Sequence, residues 1–365
     1  MRTVNYSEIL TGSAALAGLG PNDIGMGELA LFTTFHDRRL QQAWEIHRWP
    51  DLCPVEQRTF RTPWSASTTY AGPTTTAAVE VYDPASGQYF QSLQGGNLNN
   101  APTTNGVVNL AWWAASMTGY SAEPWVSGAV YSVGDQVQNP TDLNYYQCIT
   151  AHTAGGSFDA SKFGLLTPFN RYVAYQQTDV TGAALTPIGE FLRAFDKDPR
   201  VTTKLVDIPF WISQMGAQFT QVRANLGFVW LYYRKQRPSL LGAAWDSTLV
   251  YTSGQQVYYV GTGAGAAPIA PGVANLFTAN QTTTAGDSPE TAAAKWTVVP
   301  IPYIFRSFLI AAGHADWLLA DGQNDKAAAL EGAAMAYLEL EADKLNRQQG
   351  QGGRLIAKAT NLCTM

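Results

Sequence analysis

The sequence predicts an α+β protein: a helical bundle formed by both ends of the chain, with small antiparallel β modules inserted between them. Three observations carry that expectation. Apolar residues recur at helical spacing before about residue 60 and after about residue 300. The stretch between is rich in Thr, Gly, Tyr, Val and Trp with frequent turn pairs, the composition of short strands. Charge is sparse, 14% of 365 residues against about a quarter in an average soluble domain, and it gathers in the helical ends.

Taken in order, Ser7 to Ala17 reads as a short helix closed by Gly18-Leu19-Gly20-Pro21. Glu28 to Arg48 is a longer one. It carries Leu29, Phe32, Leu40, Ala43 and Trp44 at helical spacing, with Asp37, Arg38, Arg39, Gln41 and Glu45 elsewhere on the wheel, and Trp49-Pro50 ends it. Tyr303 to Leu319 and Asn324 to Gln348 form a second helical pair. The turn at Asp321-Gly322 is short enough to make them antiparallel, and Leu330, Ala334, Leu338, Ala342 and Leu345 form one stripe. Residues 350–365 open on Gly350-Gln351-Gly352-Gly353 and read as an extended arm. The expected division is therefore 1–60 with 301–349 as the bundle, β modules at 61–120, 121–169 and 242–300, a separate β unit at 170–241, and the arm. In that β unit, Asp196-Lys197-Asp198-Pro199-Arg200 is a turn whose cations neutralise its acids.

Composition excludes several classes. A chain with 46% hydrophobic and 12% aromatic residues is not disordered. With 23 Lys and Arg against 28 Asp and Glu, it lacks a broad basic face for nucleic acid. No signal peptide is visible at the start, and no run approaches a membrane span of about 18 apolar residues. Cys53, Cys148 and Cys363 are far apart, odd in number and without a CxxC pair, so bland free thiols are expected.

The residues of chemistry do not converge. His36 and His47 share a helix face but lie three turns apart, about 16 Å at the helical rise, too far to share a metal. His314 and Asp316, two apart on a helix, point away from one another. Gly261-Thr262-Gly263-Ala264-Gly265 has a phosphate loop's composition but no following Lys-Ser/Thr. Asp135, Glu190 and Asp287 single out no acid pair of the kind a glycosidase needs. The expectation is no enzyme, no catalytic residue, no cofactor and no metal.

An internal repeat stands out. Trp-x5-Tyr occurs as Trp64…Tyr70, Trp125…Tyr131 and Trp245…Tyr251, followed by Gly72, Gly134 and Gly254. Copies two and three share Tyr131-Ser-Val-Gly134-Asp135-Gln-Val137 and Tyr251-Thr-Ser-Gly254-Gln255-Gln-Val257, and close at Lys162-Phe163 and Lys295-Trp296; the looser first copy closes at Trp112-Trp113. The pattern resembles the small carbohydrate-binding modules appended to chitinases, with Phe163 departing from the usual closing Trp. That resemblance makes Trp125, Tyr131, Tyr145, Tyr146, Trp245, Tyr251 and Trp296 either sugar-stacking rings or module core, and core or interface use is the simpler reading.

The terminal segments carry a second resemblance. His36-Asp37-Arg38-Arg39-Leu40-Gln41-Gln42-Ala43-Trp44-Glu45 with Trp49-Pro50-Asp51-Leu52 is similar to the opening of head-to-tail adaptor (connector) proteins of tailed bacteriophages. So are Ala315-Asp316-Trp317-Leu318-Leu319-Ala320-Asp321-Gly322-Gln323-Asn324-Asp325-Lys326-Ala327-Ala328-Ala329 and Glu341-Ala342-Asp343-Lys344-Leu345-Asn346-Arg347-Gln348-Gln349-Gly350-Gln351. The resemblance implies a structural protein of the virion neck, assembled in the host cytoplasm as a twelvefold ring of this chain. Its partners would be the portal protein, head-closure or tail proteins, and genomic DNA that passes through the lumen without sequence-specific binding. It further implies a portal-docking arm at Arg354, Leu355, Ile356 and Lys358. The lumen should be acidic or neutral, lined by groups among Glu331, Glu339 and Asp343, because attractive walls would trap moving DNA. Lys344, Arg347 and Arg354, near the end of the last helix, could face the portal or DNA, but compensation of the helix dipole is the simpler reading. The alternative is a virion adhesin that binds glycan through the repeated modules.

Overall fold

The computed structural model describes residues 2–362 apart from 21–23, 76–77, 180–182, 203, 220–226, 265–266 and 271, with 348–362 described as backbone only. Among the described residues there are four α-helices: α1 (Tyr6–Leu16), α2 (Met26–Ile46), α3 (Arg306–Ala320) and α4 (Asn324–Leu362). The rest is small sheets of two to four strands, so that the chain is about 24% helical. This corrects the expected architecture. The chain is a mixed α and β protein built mostly of small sheets, not a helical bundle formed by both termini with modules inserted into it.

The reason is physical. Contacts divide the chain into two compact units, Met1–Asp51 with Arg237–Met365, and Leu52–Gln236. In the first unit the helices do not complete one another's apolar faces alone. The module at 242–300 finishes the job. Its four strands, Ala243–Ala244, Gln256–Val260, Ala274–Ala279 and Trp296–Val298, lie in that order. The Asn275 side chain in this sheet accepts the backbone N–H of Tyr6 at 2.9 Å, satisfying a donor at the start of α1. Tyr258 meets the Tyr6 ring edge-on at 6.0 Å. Strand Thr3–Val4 pairs antiparallel with Ile301–Pro302, which ties the chain start to the module's exit. The helices thus form a layer seated on a sheet.

Within that layer α3 is central and packs against α1, α2 and α4. The stripe read from the sequence on α2 is buried: Leu29, Phe32, Leu40, Ala43 and Trp44. Phe32 stacks on Trp317 with centroids 5.1 Å apart and planes 7° apart. The turn at Asp321-Gly322 is tight because Gly322 takes a left-handed φ of 79°. α4 runs as backbone helix through Leu362, where the sequence suggested an extended arm from residue 350. Arg354, Leu355, Ile356 and Lys358 fall within that stretch, so their side chains lie outside the described residues, as does Cys363.

The second unit holds the first two modules and a β unit. Each module is a three-stranded antiparallel sheet: Glu80–Asp83, Gln88–Ser92 and Trp113–Ala115 in the first, Gln136–Gln138, Tyr145–Cys148 and Phe163–Leu166 in the second. Val55–Thr59, inside the block expected to be helical, is a strand. It pairs with Phe228–Lys235, which in turn pairs with Ile188–Phe195. Alternating burial along Phe228–Lys235 puts Val229, Leu231 and Tyr233 in one core with Phe60, Phe191 and Phe219. No helix among the described residues is long and apolar enough to cross a membrane.

Candidate functional site

The segments that carry the adaptor resemblance meet at one buried ion cluster. Arg39 on α2 points its Nε at Asp316 Oδ2 (3.0 Å) and its Nη2 at Asp316 Oδ1 (2.7 Å), a two-pronged grip. Arg38 Nη2 adds a third bond to Asp316 at 2.6 Å. Arg39 Nη1 turns the other way to Glu331 Oε1 (2.7 Å) on α4 and to Gln42 (2.9 Å). One guanidinium thus joins α2, α3 and α4. The Asp316 side chain is 1% exposed and that of Arg39 10%. Burial works against the charged guanidinium, but the hydrogen bonds and charges of Asp316 and Glu331 outweigh it and hold Arg39 above its ordinary value. Asp37 does a parallel job on the neighbouring face. Its carboxylate takes Arg237 Nη1 at 2.8 Å and the backbone N–H of Leu240 at 2.7 Å, pinning the entry to the third module.

Beside the cluster, His36 is fully buried between Tyr6 and Ser13. Its Nδ1 lies 3.0 Å from the Tyr6 hydroxyl and its Nε2 2.9 Å from Ser13 Oγ. Burial pushes its pKa down to about 3, against a smaller opposing pull from Asp316, so the ring is neutral. Gly313 makes room for it, since a Cβ there would sit 2.4 Å from His36 Nε2. His47 instead packs edge-on against Trp49, so the two histidines do not converge.

The repeated aromatics form three equivalent cores. The tyrosine hydroxyl accepts the backbone N–H of the residue after the tryptophan in each copy: Tyr70 from Ser65 (2.7 Å), Tyr131 from Val126 (2.8 Å) and Tyr251 from Asp246 (2.7 Å). The same tyrosine meets the closing aromatic edge-on, with centroids 5.4 Å apart at Trp113, 5.7 Å at Phe163 and 5.5 Å at Trp296. The tryptophan's backbone N–H donates to a carbonyl of the facing strand in all three, at Tyr82, Gln138 and Tyr258. Gly134 (φ 101°) and Gly254 (φ 90°) occupy the left-handed region, where an L side chain is strained. Gly72 serves differently: a Cβ there would lie 3.0 Å from the Gly95 backbone.

Tyr131, Tyr251 and Trp296 are buried, while Trp125, Tyr146 and Trp245 pack half-buried against the same cores. Tyr145 lines a small cluster with Leu93, Ala114, Tyr120 and Leu166, through which the first two modules dock. Gln147 strengthens that contact by donating to the carbonyls of Leu110 (2.9 Å) and Trp113 (3.2 Å). Every one of these rings packs against a core, and Trp125, Tyr145, Tyr146 and Trp245 also keep part of their surface exposed.

Three other features resolve plainly. The described part of the glycine-rich loop, Thr262 and Gly263 with Ile269 beyond it, does cradle an anion, but the anion is the chain's own Glu290. That carboxylate accepts the Ile269 N–H (2.7 Å), the Gly263 N–H (3.1 Å), the Thr262 N–H and hydroxyl (3.1 and 2.6 Å) and the Tyr259 hydroxyl (2.7 Å). Burial alone would raise its pKa; the donors, Thr262 foremost, bring it down to about 2. In the turn at 196–200, Asp198 is bonded twice by Arg200 at 2.9 Å. Among the described residues no group of three or more His, Cys, Asp or Glu is placed to hold a metal. The acids expected to face a lumen, Glu331, Glu339 and Asp343, are all exposed, and Glu331 also bonds Arg39.

No family model matches the chain, and no curated protein or solved structure was found to be similar to it.

Proposed function

We propose that this chain is a structural subunit of a tailed-phage neck: a head-to-tail adaptor that assembles with copies of itself into a ring beneath the portal and lets DNA pass. One observation carries the reading. The two segments that resemble adaptor proteins, around Arg39 and around Asp316, lie 277 residues apart and are joined by a buried two-pronged ion pair. A mechanical part that transmits load between helices needs such a lock more than it needs a pocket. The three modules support a bracing role, because their aromatic rings fill their own cores and the seam between the first two. Glu331, Glu339 and Asp343 are all exposed and remain the candidates for a lumen face.

The adhesin alternative needs a free ring face on a module, and the described rings offer less of one than the sequence suggested. Deleting residues 350–365 tests the adaptor reading. Heads and tails should then accumulate unjoined; normal joining would refute a portal-docking role for the end of α4. A glycan array probed with the full chain tests the alternative, and binding lost on Trp125→Ala or Trp245→Ala would favour it.

A further inference from the structure

The imidazole of His36 has a place for one N–H, and its two partners on α1 decide where. Ser13 Oγ donates to the Ile310 carbonyl at 3.2 Å, so toward His36 Nε2, 2.9 Å away, it accepts. His36 Nδ1 is then the acceptor of the Tyr6 hydroxyl at 3.0 Å. A second proton on Nδ1 would point at that hydroxyl hydrogen, which has no other acceptor among the described residues. Tyr6, Ser13 and His36 are all buried, so solvent cannot relieve the clash.

The charged groups on the surrounding elements offer the extra proton little. Asp316 on α3 favours it, but Arg38 and Arg39 already bond that carboxylate. Asp37, next along α2, is turned to Arg237 and Leu240. On α1 Glu8 faces Arg306, and from the third module Tyr258 meets Tyr6. Both partners of His36 lie on α1, and α1 is the more weakly held side. α2 and α3 are joined by the buried Arg39–Asp316 pair and by Phe32 on Trp317. α1 is held by the burial of Ile9, Leu10 and Ala14, the Tyr6–Asn275 bond, the short strand Thr3–Val4 and the half-exposed Glu8–Arg306 pair at 3.3 Å.

We infer that His36 is an acid-operated latch for α1: the neutral ring clasps Tyr6 and Ser13, and a second proton frees α1 from α2 and α3, which stay joined. The opening is local and does not rest on the neck reading. In the closed chain burial keeps the ring neutral down to pH about 3, whereas a ring released to water titrates near 6.5. Between those values the open state binds the extra proton, so the opening constant rises as pH falls. From pH 7 to pH 5 the rise is about 25-fold.

The test is hydrogen exchange of the full chain, read by mass on peptides from α1 and α3 and expressed as opening constants. From pH 7 to pH 5 that of α1 should rise about 25-fold and exceed that of α3 by about tenfold or more. It should change little in urea below the unfolding transition, as a local opening does. In His36→Gln, which donates and accepts but does not titrate, the rise should vanish. A wild-type α1 opening constant that is flat with pH, or α1 and α3 opening together with one urea dependence, would overturn the latch. So would an undiminished rise in His36→Gln. Should that variant not fold, nitrogen-15 spectra of labelled histidine in the wild type decide. A neutral Nε2–H ring in the folded chain at pH 5 sustains the latch, and a charged one overturns it.

Discussion

Replacing Asp316 with alanine removes one carboxylate and strands two cations. Arg39 loses bonds of 3.0 and 2.7 Å to a group that is 1% exposed, while its own side chain is 10% exposed and has little water to turn to. Breaking a buried pair from one side costs about 3–5 kcal/mol, because the remaining charge stays desolvated. Arg38 sets the scale from the other end. Its bond to Asp316 is 2.6 Å, yet its side chain is 60% exposed, so Arg38→Ala should cost under ~1 kcal/mol. Urea unfolding followed by helical circular dichroism reads both. With an m-value of roughly 2 kcal/mol per molar, Asp316→Ala should lower the midpoint of the helical transition by about 1.5–2.5 M. The cycle with Arg39→Ala is more discriminating, because the double variant should recover at least ~1.5 kcal/mol relative to the sum of the singles. Additive costs, or an Asp316→Ala cost as small as that of Arg38→Ala, would show that the cluster does not lock the helices.

Other consequences follow from the same geometry. His36 is neutral when folded down to pH about 3 but titrates near 6.5 when unfolded. Between those values the unfolded state binds the extra proton, so its contribution is intact above pH 6.5 and is lost as pH falls. From pH 7 to 5 wild type should lose about 2 kcal/mol more than His36→Gln, and parallel pH profiles would contradict this. Gly313→Ala drives a Cβ to 2.4 Å from His36 Nε2 and should destabilise by about 1–3 kcal/mol, visible in the same helical transition. Tyr131→Phe and Tyr251→Phe each strand one backbone N–H and should cost similar amounts, about 1–2 kcal/mol; strongly unequal costs would break the equivalence of the modules. Glu290→Ala empties the cradle at Thr262, Gly263 and Ile269, so limited proteolysis should begin in that loop while the other modules stay intact.

Local periodicity exposed what is local. The α2 stripe and the Trp-x5-Tyr repeat were legible because a 3.6-residue period and a fixed aromatic spacing survive in the linear chain. The first module's looser match hid a geometry that agrees with the others at Tyr70 and Trp113. The architecture was not legible. The N-terminus of α1 is satisfied by Asn275, 269 residues beyond Tyr6, and nothing near Tyr6 announces a sheet. Arg39 sits on what the helical wheel reads as a polar, solvated side, because its partners Asp316 and Glu331 are also far away in sequence. Val55–Thr59, with one apolar residue in five, draws its strand character from pairing with Phe228–Lys235 rather than from its own pattern. Glu290 gave no signal by itself; the glycine-rich loop was the visible half of that site, and its ligand came from the same module.

Image averaging of virions carrying a label on this protein should place it as an annulus coaxial with the portal, between head and tail. Label on fibres, on the capsid surface or at the tail tip, with an unlabelled neck, would contradict the adaptor reading.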